Sequence, residues 1–368
     1  MSAKRNAQQN KIIIAGGGTG GHIYPAISIA EAILKKDAQA DILFVGTPQG
    51  MESRIVPKAG YKLQLIQSGK LNMKGQIFAK LKTLVKIPFG ILQSFWIILT
   101  HKPQFVLGVG GYASAPMLLA ALLCGRKTAL WEGNAHPGMA NRLLSKFISK
   151  AYLVFGDAKD GMASTQVNVW GMPLRSEIER ICEGAQNKEH KVFTIVCTGG
   201  SQGSMFLNDQ LSDLILKNPE WHSKIKVYHQ TGTLDFQRIK NKYGNTSCVE
   251  VMDYIYDMPR YYQEADMHFC RGGAGSLSET AAFGVVPVVV PLPAADNHQQ
   301  HNAEALVRAD AGFMLLQKTF DPAQFKKIVL DLMSNPDLKN KMSKNLKQLA
   351  PLKASQKIAS DILESIQQ

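Results

Sequence analysis

The stretch FCRGGAGSLSETAAFGVVPVVVPLPAADNHQQHNA, residues 269–303, decides the reading of the fold. Met267 and Phe269 close an apolar run of strand character, and Arg271-Gly272-Gly273-Ala274-Gly275 follows as a loop almost without side chains. Ser276 to Phe283 reads as a short helix, Gly284 stops it, and the β-branched run Val285 to Val290 reads as a buried strand. A glycine loop that opens a helix gathers bare N–H groups and the positive end of the helix dipole at one point, which suits a phosphate. A tight packing joint between strand and helix would use the same glycines. Glu279, one turn inside the helix, is placed to accept two hydrogen bonds from a vicinal diol such as a ribose. Asp296, Gln299 and Gln300 follow the next strand and add groups able to read sugar hydroxyls.

The same device recurs at the start of the chain. Ile12 to Ala15 is a buried-strand run, Gly16-Gly17-Gly18-Thr19-Gly20-Gly21-His22 follows, Pro25 to Lys35 reads as a helix, and Asp41 to Val45 is the next strand. The glycines satisfy the dinucleotide fingerprint, yet Gly46-Thr47 stand where a ribose-binding acid should close the second strand. A phosphate-cradling loop is therefore preferred over an NAD site. His22, at the loop's end, either caps its own helix or serves as a base, with nearby N–H dipoles favouring the neutral imidazole. Two further loops follow strands at Phe105 to Leu107 and Thr128 to Trp131: Gly108-Val109-Gly110-Gly111-Tyr112-Ala113-Ser114, and Glu132-Gly133-Asn134. Loops at strand C-termini converge where an open α/β sheet binds ligands.

A strand at Val192 to Cys197 with Thr198-Gly199-Gly200-Ser201-Gln202-Gly203-Ser204 behind it begins the second half in the same way. That echo predicts an α/β protein of two Rossmann-like domains, residues 1–173 and 174–351, with 176–190 as a polar hinge region. Residues 321–348 are helical by period, and a final helix over 352–368 is expected to pack back on the first domain.

The length of 368 residues also favours two cores, and 45% hydrophobic with 19% charged residues fits a folded globular chain. Five widely spaced cysteines, without a CxxC pair, argue for a reducing compartment and against structural zinc. The N-terminal residues lack the apolar core of a signal peptide, so export is not expected. Residues 1–172 hold 20 Lys+Arg against 7 Asp+Glu, whereas residues 173–368 hold 22 of each. No acid occurs between Glu52 and Glu132. The first half thus carries a one-signed surface for an anionic partner. Within that gap, Lys70 to Lys102 is basic and apolar but too interrupted for a membrane span of roughly 20 residues. Ile77 to Phe89 either lies on anionic lipid or faces the core; Ile91 to Leu99 is assigned mostly to the core.

Taken together, GGGTGGH at 16–22, GVGGYAS at 108–114, WEGN at 131–134, TGGSQGS at 198–204, CRGGAGSLSE at 270–279 and DNHQQHNA at 296–303 resemble the MurG family of bacterial cell-wall glycosyltransferases. The motifs stand in the family's order from residue 12 to about 310. The resemblance implies the GT-B fold, with two parallel-sheet domains facing across a cleft. It implies inverting transfer of N-acetylglucosamine from UDP-GlcNAc to the C4 hydroxyl of MurNAc in undecaprenyl-diphosphate-MurNAc-pentapeptide (lipid I), giving lipid II. By the same resemblance, Thr19, Gly20, Gly21, Asn134, Arg175, Ser201, Gln202, Ile255, Ala274, Gly275, Ser276, Leu277, Ser278, Glu279 and Gln299 lie at the donor, with Ile255 at the uracil and Glu279 on the ribose. Gly110, Gly111, Tyr112 and Glu132 resemble the acceptor side, and His22 is the family's candidate base, with Glu132 the second catalytic candidate. Inversion needs a base opposite the leaving UDP, and helix N-termini can stabilise that leaving group, so neither metal nor cofactor is expected. Expected partners are the two substrates, an anionic membrane surface and cell-wall synthesis proteins, with no nucleic acid; the expected location is peripheral, on the cytoplasmic face of the cell membrane. Three positions depart from the family pattern: Gly133 where a Gln is usual, Met172 for an Asn, and Gly273 for a Ser. The alternatives are another GT-B UDP-sugar enzyme (a lipid glycosyltransferase or an epimerase), an NAD-dependent oxidoreductase, and a membrane-bound scaffold without catalysis.

Overall fold

A computed structural model describes residues 9–69, 77–184, 192–294 and 296–368, with the backbone alone described over 77–87. The chain divides into two compact units, residues 1–175 with 352–368 and residues 176–351. The division falls at Arg175, against the expected Pro173.

In the first unit, apolar runs and glycine loops build β1 (Lys11–Ala15), α1 (Gly20–Lys36), β2 (Asp41–Gly46), α2 (Glu52–Lys58), β3 (Lys62–Leu65), α3 (Ile77–His101), β4 (Phe105–Gly108), α4 (Ser114–Leu123), β5 (Lys127–Glu132), α5 (Met139–Leu144), β6 (Lys150–Leu153) and β7 (Gln166–Val169). The sheet order is β3-β2-β1-β4-β5-β6-β7, and every neighbouring pair runs parallel. Strands buried on both faces read as continuous apolar sequence, as at Ile12, Ile13 and Ile14, each 0% exposed.

The second unit repeats the plan with α6 (Ser176–Gly184), β8 (Phe193–Thr198), α7 (Met205–Leu216), β9 (Ile225–Gln230), α8 (Phe236–Tyr243), β10 (Val249–Met252), α9 (Met258–Glu264), β11 (Met267–Cys270), α10 (Ala274–Phe283), β12 (Val286–Val289), α11 (His298–Arg308), β13 (Phe313–Met314), α12 (Pro322–Ser334) and α13 (Pro336–Leu349). Its sheet order is β10-β9-β8-β11-β12-β13, again parallel throughout. Both orders are doubly wound: the chain leaves the first strand to one side, then crosses back to the other. The switch points, β1 against β4 and β8 against β11, are where such sheets bind ligands.

Two expectations change. Residues 321–348 form two helices, because Pro336 cannot continue the ladder and the Asn335 side chain caps the second helix on Leu338 N–H. Helix α3 runs through Pro88 to His101, and its second half is only half core. Ile97 and Ile98 are buried, whereas Phe89, Leu92, Trp96 and Leu99 are 59–64% exposed. At 100° per residue those four share one outward stripe. Lys70, Lys74 and the side chains of Ile77 to Ile87 lie outside the described residues. The last helix, α14 (Ala354–Gln367), packs on α1 in the first unit, with Asp361 joined to Lys150 and to the Tyr152 hydroxyl.

Candidate active site

The loops after β1, β4 and β5 lie side by side because those strands are neighbours. Gly17 N–H donates to the Gly110 carbonyl at 3.1 Å, laying one glycine loop directly on the other. Side chains are excluded there: a Cβ on Gly111, at φ +79°, would stand 2.2 Å from the Gly17 oxygen. His22 occupies the first turn of α1, with Nδ1 3.1 Å from the Gly17 carbonyl oxygen. A carbonyl can only accept, so this contact puts the proton on Nδ1 and leaves Nε2 as the acceptor. The ring meets Trp131 at right angles, centroids 6.5 Å apart. Gly133, the departure from the family pattern, has its reason here: a Cβ would stand 2.7 Å from the Trp131 ring.

Thr19 caps α1 without a side-chain bond, so the first N–H groups of the helix are served by no cap of its own. Tyr112 is 40% exposed beside Gly110 and Gly111, and its carbonyl accepts from Ser68 Oγ at 2.7 Å. Arg175 is exposed at the end of this unit.

Glu132 is 4% exposed, and both its oxygens are engaged. Oε1 accepts from Asn134 N–H and Asn134 Nδ2, and Oε2 from Gly138 N–H and Asn141 Nδ2, all within 2.9–3.1 Å. Glu132, the second catalytic candidate from the sequence, is thus held by four donors, which tie it to the loop that carries Asn134.

In the second unit the loops after β8 and β11 border a cavity of about 580 Å³, lined among others by Gly199, Gly200, Ser201, Gln202, Gly203, Arg271, Gly273, Ser276 and Gln299. Ser201, Gln202, Ser276 and Gln299 were expected there. The floor of the cavity is set by backbone packing, since a Cβ on Gly203 would meet the Thr231 oxygen at 1.8 Å. Helix α10 begins at Gly273 with no side-chain cap, so its first-turn amides around Ala274, Gly275 and Ser276 form an anion-binding end beside the cavity. Glu279 lies one turn further, half-buried. Leu277 and Ser278, also expected at the donor, are 1% and 4% exposed. Their side chains face the interior, because a helix offers a ligand only one side of each turn. Ile255 is 5% exposed; its N–H donates to Gln230 Oε1, and Gln230 Nε2 donates to the Gly200 carbonyl, tying its loop to the glycine loop.

Gln299 Oε1 accepts from Gly272 N–H and Leu292 N–H, each at 3.0 Å, so its amide is oriented with Nε2 as a donor. Asn302 Nδ2 donates to the Gly272 carbonyl, and the Gly272 backbone is thus gripped from both sides by α11. Two residues here escaped the sequence reading as site residues. Arg271 binds Ser204 Oγ, Gln317 Oε1 and the Val290 carbonyl, and burial draws its pKa down while leaving it a cation at the cavity wall. Asn302 stands within DNHQQHNA, a stretch that carries the family resemblance, without being singled out there. A lone Arg after a strand is too common to stand out; its direction is set by Ser204 and Gln317, 67 and 46 residues away.

Models of the glycosyltransferase family 28 N-terminal and C-terminal domains match residues 12–153 and 194–361. A transferase of Bdellovibrio bacteriovorus, named UDP-N-acetylglucosamine--N-acetylmuramyl-(pentapeptide) pyrophosphoryl-undecaprenol N-acetylglucosamine transferase, is 48% identical over 365 residues, 99% of this chain and 100% of the relative. The chain belongs to glycosyltransferase family 28. A family 28 relative of the same name from Myxococcus xanthus is 34% identical, covering 95% of this chain and 91% of its own. Among solved structures, Acinetobacter baumannii MurG superposes with a TM-score of 0.82 at 28% identity, covering 96% of this chain and 99% of that one. A UDP-GlcNAc 2-epimerase from Neisseria meningitidis has a TM-score of 0.66 at 14% identity, covering 96% and 99%. That likeness is one of fold alone.

Proposed function

We propose that this family 28 enzyme transfers N-acetylglucosamine from UDP-GlcNAc to the C4 hydroxyl of MurNAc in lipid I, giving lipid II and UDP with inversion at the anomeric carbon. The observation that carries the reading is the 48% identity to a transferase of that name along the whole of both chains. An epimerase reading has only a 14% likeness of fold behind it.

The site chemistry supports the same reaction. In the second unit, the amides at the start of α10, with Arg271 at the cavity wall, hold the diphosphate of the donor and stabilise the UDP that leaves. Glu279 accepts from the ribose hydroxyls, Ile255 borders the uracil, and Ser201, Gln202 and Gln299 meet the diphosphate or the sugar. In the first unit, His22 takes the proton from the acceptor hydroxyl at Nε2, the nitrogen left unprotonated by the Gly17 carbonyl. Gly110, Gly111 and Tyr112 border the acceptor. Thr19, Gly20, Gly21, Asn134 and Arg175 contact the donor, with Glu132 holding Asn134 in place. The outward stripe of Phe89, Leu92, Trp96 and Leu99, in a half of the chain with a large excess of cations, seats the enzyme on the anionic membrane that carries lipid I. No helix among the described residues is long and apolar enough to cross a membrane. Peripheral attachment at the cytoplasmic face and contact with other cell-wall synthesis proteins complete the reading.

Labelled GlcNAc supplied as UDP-GlcNAc is expected to appear on a short-chain lipid I analogue. Absence of transfer, or 2-epimerisation of UDP-GlcNAc without acceptor, would end the proposal. His22→Ala is expected to lower kcat roughly 10²–10⁴-fold with little change in the donor KM. Near-normal turnover would show that His22 is not the base.

A further inference from the structure

Thr47 stands where a dinucleotide-binding sheet keeps its acid, but an acid is present five residues later. Glu52, the first residue of α2, is 2% exposed, and its carboxylate turns back beneath the first glycine loop. Oε2 accepts from Gly18 N–H at 2.6 Å; Oε1 accepts from Thr47 N–H at 2.8 Å and Thr47 Oγ at 3.0 Å. Three glycines make room for it. A Cβ on Gly17 would stand 2.3 Å from Glu52 Cδ, one on Gly46 2.4 Å from Cγ, and one on Gly50 2.0 Å from Oε2. Glycines that look like a nucleotide fingerprint in sequence thus form a cage for one side chain.

The peptide that Glu52 grips is also the one that His22 touches. Gly18 N–H and the Gly17 carbonyl belong to a single peptide unit and point in opposite directions, as a trans peptide requires. One end donates to Glu52, and the other receives His22 Nδ1–H at 3.1 Å. A carboxylate pulling on the N–H of a peptide strengthens its carbonyl as an acceptor, because hydrogen bonds in a chain polarise one another. A buried carboxylate with three donors and no freedom to turn holds that peptide in one orientation.

We propose that Glu52 is a positioning residue for catalysis, acting through the Gly17–Gly18 peptide to keep His22 in the tautomer with Nδ1 protonated and Nε2 unprotonated, the form able to take the proton of the acceptor hydroxyl. The catalytic meaning of this relay rests on His22 being the base; the tautomer does not. In wild-type protein, long-range proton–nitrogen correlation of the histidine rings, with the His22 signal identified by its loss in His22→Ala, is expected to show Nδ1 protonated on the alkaline side of its titration. Glu52→Gln keeps the size but removes the charge. It is expected to give a mixture of tautomers and about a tenfold fall in kcat, with the KM for UDP-GlcNAc within about threefold of wild type. A merely structural role would raise KM together with the fall in kcat and leave the tautomer unmoved. Protonation of His22 on Nε2 in the wild type overturns the relay, as does a folded Glu52→Gln protein with unchanged tautomer and kcat. Should that variant not fold, the wild-type spectrum decides. Normal turnover in His22→Ala, with Nδ1 protonated in the wild type, would remove the base reading and the relay's catalytic role while leaving its geometry intact.

Discussion

At the scale of single residues, the buried histidines of the second unit are as informative as His22 of the first. His229 lies between Tyr243 OH and Asn208 Oδ1, and His268 between Thr198 Oγ and Thr280 Oγ. Burial lowers both pKa values from 6.5 to about 3. In the unfolded chain they take up protons near pH 6.5; in the folded protein they do not. Stability is therefore full above pH 6.5 and lost as pH falls from there towards 3, by roughly 2 kcal/mol per histidine at pH 5. Thermal melts between pH 7 and 5 test this, and a Tm unchanged across that range would refute it. Asn208 also donates to the Thr231 carbonyl, so the same network holds the loop that packs on Gly203 at the cavity floor. The sequence marks none of this, since a histidine on an apolar strand looks the same whether it is a ligand or a satisfied core group.

At the scale of elements, the helix α3 shows where periodicity alone falls short. Over Phe89 to Leu99 nearly every residue is apolar, so no pattern says which side is covered. Packing against α4 buries Ile97 and Ile98 and leaves Phe89, Leu92, Trp96 and Leu99 outside. Replacing Leu92 and Trp96 together by Ser is expected to reduce binding to anionic vesicles roughly 10–100-fold while hardly moving the Tm, because neither side chain is in the core. Vesicle flotation at low and high salt measures it; undiminished binding would place membrane attachment elsewhere. The elements that were plain from sequence are those with sharp punctuation. Gly284 ends α10 in the left-handed conformation at φ +72°, where a side chain would be strained, and β12 follows at once.

At the scale of the whole molecule, the C-terminal helix crosses back to the first unit, and its buried face carries Ile358, Ala359 and Ile362, each 0% exposed. Tyr152 OH and Lys150 would lose Asp361 without it, and both are largely buried. Deleting residues 352–368 is expected to destabilise the first unit by several kcal/mol. Hydrogen exchange should then accelerate in β1 and β4 to β6 while the sheet from β8 to β13 keeps its protection; equal loss in both sheets would contradict the division into units. Charge is divided along the same line, with the excess of cations confined to the first half. Alternation of strand, glycine loop and helix determined by itself that two doubly wound sheets would form, since buried parallel strands and φ-positive turns leave direct marks on residue choice. Tertiary structure alone decided which polar groups act and which support. Glu52, Arg271 and Asn302 take their direction from distant backbone or side-chain partners, and the contacts that aim a side chain leave no pattern at its own position.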